Sequence, residues 1–314
     1  MGLEETPEEF IAGMVGVFAE VKRVLRDDGT LWVNIGDTYV DKNLIGIPWM
    51  LAIALRLDGW VLRQDIIWSK PSPMPEAVVD RCCKAHEYIF LLSKQKTYYF
   101  DPVAIKENVG VPTRRAATFR DDRYINDEAR NNSGNFDHKP PCKEGSLSLD
   151  GTNKRSVWEV ASVNYGKGHF AVFPPKLINP CILAGTSAKG CCPVCGTPVE
   201  RQVEKERVAT RPGLDTKVTG DSATEGNRDP GRHVTSTRTT GWAWGCDCNP
   251  NADIATTARP CVVLDPFAGS GTTLAESVRL GRRAIGCELN PEYIPLIEER
   301  VKAGLAKKGF GIAV

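Results

Sequence analysis

The sequence predicts an α/β protein in which helices alternate with short buried strands. Apolar residues recur at helical spacing from Phe10 to Leu25, and the apolar run Leu31–Ile35 follows them. The same order returns at Ile47–Leu57 with Trp60–Trp68, and Glu87–Ser93 adds another apolar strand. A helix followed by a buried strand, repeated in this way, is typical of a mostly parallel sheet covered by helices.

Composition limits what the chain can be. Its 314 residues include 40 Lys and Arg against 39 Asp and Glu, a net charge of +1, and 41% are hydrophobic. These values are typical of globular proteins and exclude a disordered tail or a highly charged coiled coil. No apolar run approaches the roughly 18 residues that cross a bilayer, and no secretory signal follows Met1. We therefore expect a cytoplasmic protein without membrane contact, in which local basic patches provide any contact with DNA.

The first helix has a recognisable start and end. Thr6 is placed to cap it, Pro7 fits the first helical position and Glu9 completes a capping box. Gly29 is expected to end it.

A β-α-β-α unit closes the sequence. Its expected elements are the strands Val262–Asp265 and Arg283–Glu288, the helix Thr272–Leu280 stopped by Gly281, and the helix Pro291–Leu305 preceded by Asn290.

The densest signal is the glycine loop between the strand and the helix of this unit. It consists of Asp265, Pro266, Phe267, Ala268, Gly269, Ser270, Gly271, Thr272 and Thr273. Glycines let the backbone approach a ligand closely, and a helix N-terminus offers unpaired N–H groups. A phosphate-binding loop is one interpretation. However, the spacing matches neither a Walker A loop nor the full dinucleotide fingerprint, and no Lys follows the second glycine.

An acidic residue ends the next strand. Glu288 lies 23 residues after Asp265 (288 − 265 = 23), where a carboxylate can bind both hydroxyls of a ribose. Together, the loop and this acid indicate a ligand with a ribose and a carboxylate or amino group, held without a pyrophosphate clamp. The competing interpretation is a tight turn beside an unrelated acid.

These residues resemble the amino-group DNA methyltransferases with the permuted β order of motifs, which methylate adenine N6 or cytosine N4. The glycine loop resembles that family's S-adenosylmethionine loop, and Glu288 with Asn290 resembles its ribose-binding segment. Similar segments occur elsewhere in the order expected of this permutation. They are Leu25–Tyr39, Arg63–Asp101, Ser156–Trp158 and His169–Pro174, the last including Phe173.

The resemblance implies a Rossmann-like, circularly permuted methyltransferase fold with a mixed, mostly parallel sheet. It implies S-adenosylmethionine as cofactor and duplex DNA as substrate, with the target base flipped out of the stack. The amine attacks the sulfonium methyl directly, without a covalent enzyme intermediate. It further implies that the glycine loop holds the methionine end, Glu288 the ribose, and His169, Phe173 and Pro174 the cofactor side. A restriction–modification system, with a cognate endonuclease as partner, also follows from the resemblance.

One family motif is absent from the sequence. The resembling enzymes polarise the amine with an [Asp/Ser/Asn]-Pro-Pro-[Tyr/Phe/Trp] motif, but here Pro-Pro precedes only Cys142 and Lys176. In the family's strand order, 3-2-1-4-5-7-6, the missing part includes interior strand 4. We therefore expect an N-terminally truncated enzyme, weak or inactive alone. Asn34 and Asp37 are the alternative catalytic candidates. A non-catalytic DNA- or cofactor-binding remnant is the second interpretation, and methyl transfer to RNA or protein the third.

The 11 cysteines are unevenly distributed. Cys192 and Cys195 form a Cys-x-x-Cys knuckle, and Cys246 and Cys248 can complete a four-thiolate structural zinc site. Cys191 could replace Cys192, and reduced surface thiols are the competing interpretation. The remaining cysteines are expected to be small buried side chains: Cys82, Cys83, Cys142, Cys181, Cys261 and Cys287.

The predicted organisation has five segments. They are the first methyltransferase part (1–105), a target-recognition insertion (106–155), the cofactor-side segment (156–185), a zinc-ribbon-like insertion with a flexible loop (186–250) and the cofactor-binding part (251–314). Residues 205–241, polar and rich in threonine, are expected to form that loop. The candidate DNA contacts, for which solvated ion pairs are the alternative, are Arg81, Arg114, Arg115, Arg120 and Arg123. Trp68 and Trp158 are expected in the core.

Overall fold

The structure is a computed structural model that describes residues 4–107, 151–162, 173–209, 233–248 and 250–306. Its helices are α1 (Pro7–Val24), α2 (Ile47–Leu57), α3 (Pro175–Gly185), α4 (Ile254–Thr257), α5 (Thr272–Arg279) and α6 (Ile294–Ala306). Its strands are β1 (Thr30–Ile35), β2 (Tyr39–Val40), β3 (Asn43–Leu44), β4 (Val61–Ser69), β5 (His86–Ser93), β6 (Val157–Glu159), β7 (Val199–Ala209), β8 (His233–Trp244), β9 (Val262–Asp265) and β10 (Arg283–Gly286).

Four strands form a mixed sheet in the order β1-β5-β4-β6. Strand β5 is antiparallel to both β1 and β4, whereas β6 is parallel to β4. Strands β1, β4 and β6 therefore share one direction, and β5 alone runs against them. The order β1-β5-β4 matches the 5-7-6 part of the expected sheet. Strand β6 extends this sheet beyond β4, which the sequence did not predict.

A second, smaller sheet precedes and follows the glycine loop, and in it β9 and β10 pair in parallel. These strands match positions 1 and 2 of the expected order. No ladder joins β1 to β9 among the strands that the structure describes. The two sheets nevertheless meet through side chains. Leu264 of β9 packs against the core cluster that contains Val33, and the ring of Phe267 contacts that of Phe18 edge-on at 6.2 Å between centroids.

Both faces of the larger sheet are covered. Alternate side chains of β5 point to opposite faces, and each set packs in a different cluster. Phe90 and Leu92 belong to the cluster formed with α1 and α2, whereas Ile89 belongs to the cluster that includes Leu177 of α3 and Trp158. The core positions predicted for Trp68 and Trp158 are confirmed, since both indoles are buried.

Helix α1 begins as predicted but ends earlier. The Thr6 hydroxyl accepts a hydrogen bond from the Glu9 backbone N–H at 3.2 Å. Leu25 already has extended dihedrals, with ψ 139°, so the helix stops at Val24. Gly29 does not end it, because this residue lies in a later turn, where its N–H donates to the Arg26 carbonyl.

The loop predicted for residues 205–241 is wrong in part. Strand β7 continues to Ala209, and β8 begins at His233 and pairs with it. Threonine and valine favour strands, and this propensity outweighs the polar composition from which a loop was expected.

The prediction that the scattered cysteines are buried is partly confirmed. Cys181 and Cys261 are buried, but Cys82, Cys83 and Cys287 are exposed. The two adjacent cysteines lie in the connection between β4 and β5, and Cys287 follows the end of β10, so none faces a core layer. Cys142 lies outside the described residues.

The chain divides into two compact units. The first comprises residues 1–105, 155–201 and 242–314 and contains both sheets, the glycine loop and the cysteine knuckle. The second comprises residues 106–154 and 202–241. In it, Glu107 bridges Thr152, and Arg238 pairs with Glu204 at 3.4 Å. None of the described helices has the length and apolar character needed to cross a membrane.

Two leucines of α2 test how much the fold depends on the α1–α2 face. Leu55 is 1% exposed and Leu57 is 80% exposed. Leu55→Ala should lower the free energy of unfolding by about 2–5 kcal/mol, because it leaves a cavity in a packed layer. Leu57→Ala, the matched control, should change it by less than about 0.5 kcal/mol. Denaturant unfolding measures both, and equal effects would contradict the packing described.

Candidate cofactor site and cysteine cluster

The glycine loop joins β9 to α5 through two residues with left-handed backbone. Gly269 has φ 52° and Gly271 has φ 78°. A Cβ atom at Gly271 would lie 3.1 Å from the Cα atom of Ile297 on α6. The left-handed backbone conformation therefore favours glycine at position 271, and the close approach of α6 leaves little room for a side chain. Because Gly271 is also the N-cap of α5, the loop leads directly to a helix N-terminus.

Backbone hydrogen bonds close the loop on itself and onto the end of β10. The Asp265 carboxylate accepts from the Phe267 N–H at 3.0 Å, and the Ala268 N–H donates to the Cys287 carbonyl at 2.9 Å. The Gly271 N–H donates to the Ala268 carbonyl at 2.7 Å. The loop is therefore a fixed turn between the carboxyl ends of two neighbouring parallel strands.

The structure brings Glu288 to the glycine loop, as the sequence predicted. One carboxylate oxygen accepts from the Gly269 N–H at 2.7 Å, and the other accepts from the Asn290 N–H at 2.8 Å. The Asn290 side chain in turn caps the following turn by accepting from the Glu292 N–H at 3.0 Å. Glu288 is thus held rigidly at the carboxyl edge of β10, next to the loop.

A guanidinium that sequence reasoning missed supports the loop from α6. Arg300 Nη1 donates to Ser270 Oγ at 2.6 Å and to Thr272 Oγ1 at 2.7 Å, and both hydroxyl residues are buried. Ile297 and Arg300 are three residues apart and so lie on one helix face. This spacing of an apolar residue and an arginine was the only sequence signal available. Helix α6 therefore fixes the loop by packing and by hydrogen bonds.

The cofactor-side segment is described only from Phe173 onward, and His169 lies outside the described residues. Phe173 packs against the cluster that contains Trp158, and Pro174 is the buried N-cap of α3. Helix α3 is linked to α5 by a hydrogen bond from the Asn179 amide to the buried Glu276 carboxylate at 2.7 Å. The segment after Pro174 is therefore tied to the helix that follows the glycine loop.

The alternative catalytic candidates both have structural partners. The Asn34 amide donates to Glu87 Oε2 at 3.2 Å and to the Tyr88 carbonyl at 3.1 Å. Asp37 Oδ1 accepts from the Gly46 N–H at 2.9 Å and from the Ile47 N–H at 3.1 Å. Asp37 thereby caps the N-terminus of α2.

Of the candidate DNA contacts, only Arg81 is described. Its guanidinium donates to Glu76 Oε2 at 2.6 Å and lies over the Tyr39 ring at 4.0 Å from the centroid. These contacts hold the side chain in place, as an ion pair on a loop would. Arg114, Arg115, Arg120 and Arg123 lie outside the described residues.

Four cysteines from two distant segments converge in the first unit. The sulfur atoms of Cys192, Cys195, Cys246 and Cys248 all lie within 4.8 Å of one another. Sulfur atoms bound to one tetrahedral zinc at roughly 2.3 Å are separated by roughly 3.8 Å, so the cluster has a suitable size. Cys191 is not a member, because its thiol points instead at the Arg259 carbonyl, 3.4 Å away.

Hydrogen bonds within the cluster shift the pKa values of its thiols in opposite directions. A hydrogen bond with Thr197 lowers the pKa of Cys195 to about 6, whereas the hydrogen bond with Cys195 raises the pKa of Cys248 to about 12. Without a cation, negative charge on one sulfur therefore opposes ionisation of its neighbour. A divalent cation removes this conflict, because thiolates are its ligands.

Comparisons with known proteins give the class and the family of this chain. The family model described as DNA methylase (N6_N4_Mtase) matches residues 1–192 and 255–299. The type II methyltransferase M.SmaI of Serratia marcescens is 32% identical over 330 residues, which cover 96% of this chain and 77% of that protein. M.Cfr9I of Citrobacter freundii is 30% identical over 331 residues, which cover 96% and 74%.

A solved structure shares the fold. The structure of PvuII DNA methyltransferase, described as cytosine-N4-specific, has a TM-score of 0.51 and 15% identity, and the match covers 100% of this chain and 75% of that one. The chain belongs to the N4/N6 amino-methyltransferase family of DNA methylases. The predicted family, fold class and enzyme class are confirmed. The family model does not match residues 193–254, the segment with three of the four clustered cysteines.

Arg300 can be tested as the support of the glycine loop. Arg300→Met keeps an unbranched apolar stem but removes the guanidinium donors, so hydrogen exchange at the backbone amides of residues 269–273 should accelerate. Lys302→Met on the same helix is the control, since its ammonium lies 3.8 Å from the exposed Glu298 carboxylate. Mass spectrometry of peptic peptides measures the exchange. Unchanged protection in Arg300→Met would show that packing against Ile297 suffices.

Proposed function

We propose that residues 265–273 and Glu288 bind S-adenosylmethionine and that the enzyme methylates the exocyclic amine of a flipped cytosine or adenine in duplex DNA. The observation that carries this proposal is the hydrogen bond between the Gly269 N–H and Glu288 Oε2 at 2.7 Å. This contact holds Glu288, to which we assign the ribose, against the glycine loop at the edge of the sheet, and so supports a single cofactor site.

Glu288 retains the capacity to bind a ribose while it holds the loop. Each carboxylate oxygen accepts one backbone N–H, and a carboxylate oxygen has two lone pairs. The two remaining lone pairs suit the two ribose hydroxyls. The N-terminus of α5 at Gly271 lies beside the loop and favours the carboxylate of the methionine end. Phe267, Phe173, Pro174 and His169 are assigned to the walls of the site from the family resemblance.

The bound cofactor supplies an electrophilic methyl group on sulfur. The protein must hold the amine in line with that methyl and accept a proton from the amine as the new C–N bond forms. In the resembling enzymes this task belongs to the [Asp/Ser/Asn]-Pro-Pro-[Tyr/Phe/Trp] motif, which residues 1–314 do not contain. Among the described strands, the gap between β1 and β9 is where the strand leading to that motif is expected.

We infer that residues 1–314 bind the cofactor but transfer methyl groups weakly or not at all. Asn34 lies at the end of β1, beside the gap, but its amide is bonded to Glu87 and to the Tyr88 carbonyl. A non-catalytic binding protein is the second candidate, favoured by the same missing motif.

We assign Arg81 and the four arginines of residues 114–123 to DNA contacts. We further propose that the reaction takes place in the cytoplasm and that a cognate restriction endonuclease belongs to the same modification system.

Replacing Glu288 tests the cofactor site. Glu288→Ala should weaken binding of S-adenosylmethionine at least about tenfold, because hydrogen bonds to a charged group contribute about 1.5–3 kcal/mol each. Glu292→Ala is the matched control, because it removes an acidic side chain close in sequence to Glu288 that does not bind the glycine loop. Isothermal titration calorimetry gives both dissociation constants. Equal affinity in the two variants would remove Glu288 from the site.

Methyl transfer is the second test of the same function. Purified residues 1–314, incubated with tritiated S-adenosylmethionine and duplex DNA of mixed sequence, should leave the DNA at background radioactivity while calorimetry still detects the cofactor. Robust labelling of the DNA would show that another group polarises the amine, and Asn34→Ala would then identify or exclude the amide at the end of β1.

We also propose that the four clustered thiolates hold one structural zinc ion. The support is the mutual distance of the sulfurs and their position on a Cys-x-x-Cys knuckle, in which the Gly196 N–H donates to the Cys192 carbonyl at 2.9 Å. Elemental analysis of protein purified without chelator should find about one zinc per chain, and Cys248→Ser should lose it. Cys82→Ser, which removes an exposed thiol outside the cluster, should retain it. Wild-type protein without zinc would contradict the assignment.

A further inference from the structure

We propose that the cysteine cluster anchors the strand that carries the glycine loop, so that zinc binding raises the affinity for S-adenosylmethionine. This inference rests on the proposed cofactor and zinc sites and adds a coupling between them. The segment that contains three of the ligands falls outside the family match, whereas residues 255–299, which follow it, lie within the match.

The knuckle is joined directly to the chain that enters β9. The Cys191 N–H donates to the Arg259 carbonyl at 2.7 Å, and the Arg259 N–H donates back to the Cys191 carbonyl at 3.0 Å. This two-bond bridge is adjacent to the ligand Cys192. Its other residue, Arg259, lies six residues before Asp265 (265 − 259 = 6), the first residue of the glycine loop.

Glycine is required where the two segments meet. Gly190 has φ 88°, and a Cβ atom there would lie 2.3 Å from the Arg259 carbonyl oxygen. Any larger residue must push the knuckle away from Arg259. The bridge can therefore be broken without changing a cysteine.

The second pair of ligands, Cys246 and Cys248, lies shortly before Arg259 in the sequence. Cys248 precedes Arg259 by 11 residues (259 − 248 = 11). The indole N–H of Trp244, at the end of β8, donates to the carbonyl of Ala252 in this connection at 2.9 Å. A metal ion would join Cys248 to Cys192, while the bridge joins Arg259 to Cys191. Metal binding would thus close a short loop whose exit is β9, which lowers the entropy of the chain at that point.

The knuckle is also hydrogen-bonded to the connection between α1 and β1. Arg26, which follows α1, donates to the Cys195 carbonyl and, at 3.4 Å, to the Thr197 hydroxyl. The same side chain is bound by Asp28 through two hydrogen bonds of 2.8 and 2.9 Å. The metal site is therefore attached to the start of β1 on one side and to the start of β9 on the other.

Other contacts of β9 and β10 lead to the segment just before the knuckle. The Arg283 N–H donates to the Cys261 carbonyl at 2.8 Å, and the buried Arg282 donates to the Thr186 hydroxyl at 2.9 Å. By contrast, apolar side chains on both strands remain half exposed, with Val262 at 48% and Ile285 at 53%. The hydrogen bond from Arg282 to Thr186 therefore adds to the packing of Leu264 on the core, and the order of the segment 186–191 contributes to the position of these strands.

The test compares cofactor binding with and without metal in the full chain. Calorimetry with S-adenosylmethionine is performed on protein as purified, after removal of metal by a chelator and dialysis, and after addition of one equivalent of zinc chloride. Removal should weaken binding about fivefold or more, the lower end of usual coupling between two sites, and zinc should restore it. Gly190→Ala should retain zinc, bind the cofactor as weakly as the stripped protein, and show no response to metal.

Gly13→Ala is the matched control, since nothing lies within 4 Å of a Cβ at this position in α1. It should respond to zinc like the wild type. Equal affinity in loaded and stripped wild-type protein would overturn the coupling while leaving the cofactor site intact. Absence of cofactor binding in both forms would instead overturn the proposed function. A full zinc response in Gly190→Ala would exclude the bridge at Arg259 as the route.

A second measurement covers the case in which the stripped protein unfolds. Coupling is reciprocal, so S-adenosylmethionine should slow the transfer of zinc from the folded wild-type protein to a coloured chelator. Circular dichroism during the assay establishes that the chain is folded at its start. A transfer rate independent of the cofactor, at saturating cofactor, would overturn the inference.

Discussion

The cofactor end of this enzyme depends on one steric constraint, the contact between Gly271 and helix α6. With φ 78° and a Cβ position 3.1 Å from the Ile297 Cα atom, any side chain at residue 271 would be strained and tightly packed against α6. This contact sets the start of α5, and Arg300 of α6 stabilises the same turn by hydrogen bonds to Ser270 and Thr272. The N–H of Gly269 is thereby presented to Glu288. The shape of the proposed cofactor site therefore depends on how closely the loop packs on α6.

A second constraint is the separation of the two sheets. Strand β1 pairs with β5 and β9 pairs with β10, while side chains such as Phe18 and Phe267 hold the two parts together. An apolar contact fixes proximity but not strand register. Hydrogen-bonded connections, such as the bridge between Cys191 and Arg259, therefore contribute to the orientation of β9.

Local patterns in the sequence were sufficient to predict features that local geometry determines. Thr6 caps α1, Gly281 with φ 81° follows α5, and the loop and Glu288 meet because parallel strands end at one edge. Long-range contacts were not predictable in this way. Arg300 meets Ser270 only through the packing of α6, and the choice of Cys192 over Cys191 depends on which thiol faces Cys246. Strand β6 and the extent of β7 and β8 depend on partners distant in sequence.

The central claim is that the glycine loop is the cofactor site. It is tested most directly by nuclear magnetic resonance of the chain labelled with ¹⁵N-glycine during titration with S-adenosylhomocysteine. The account predicts that the amide signals of Gly269 and Gly271 shift with saturation while that of Gly13 in α1 does not. Saturable binding that shifts glycine signals elsewhere and leaves Gly269 and Gly271 unchanged would contradict it.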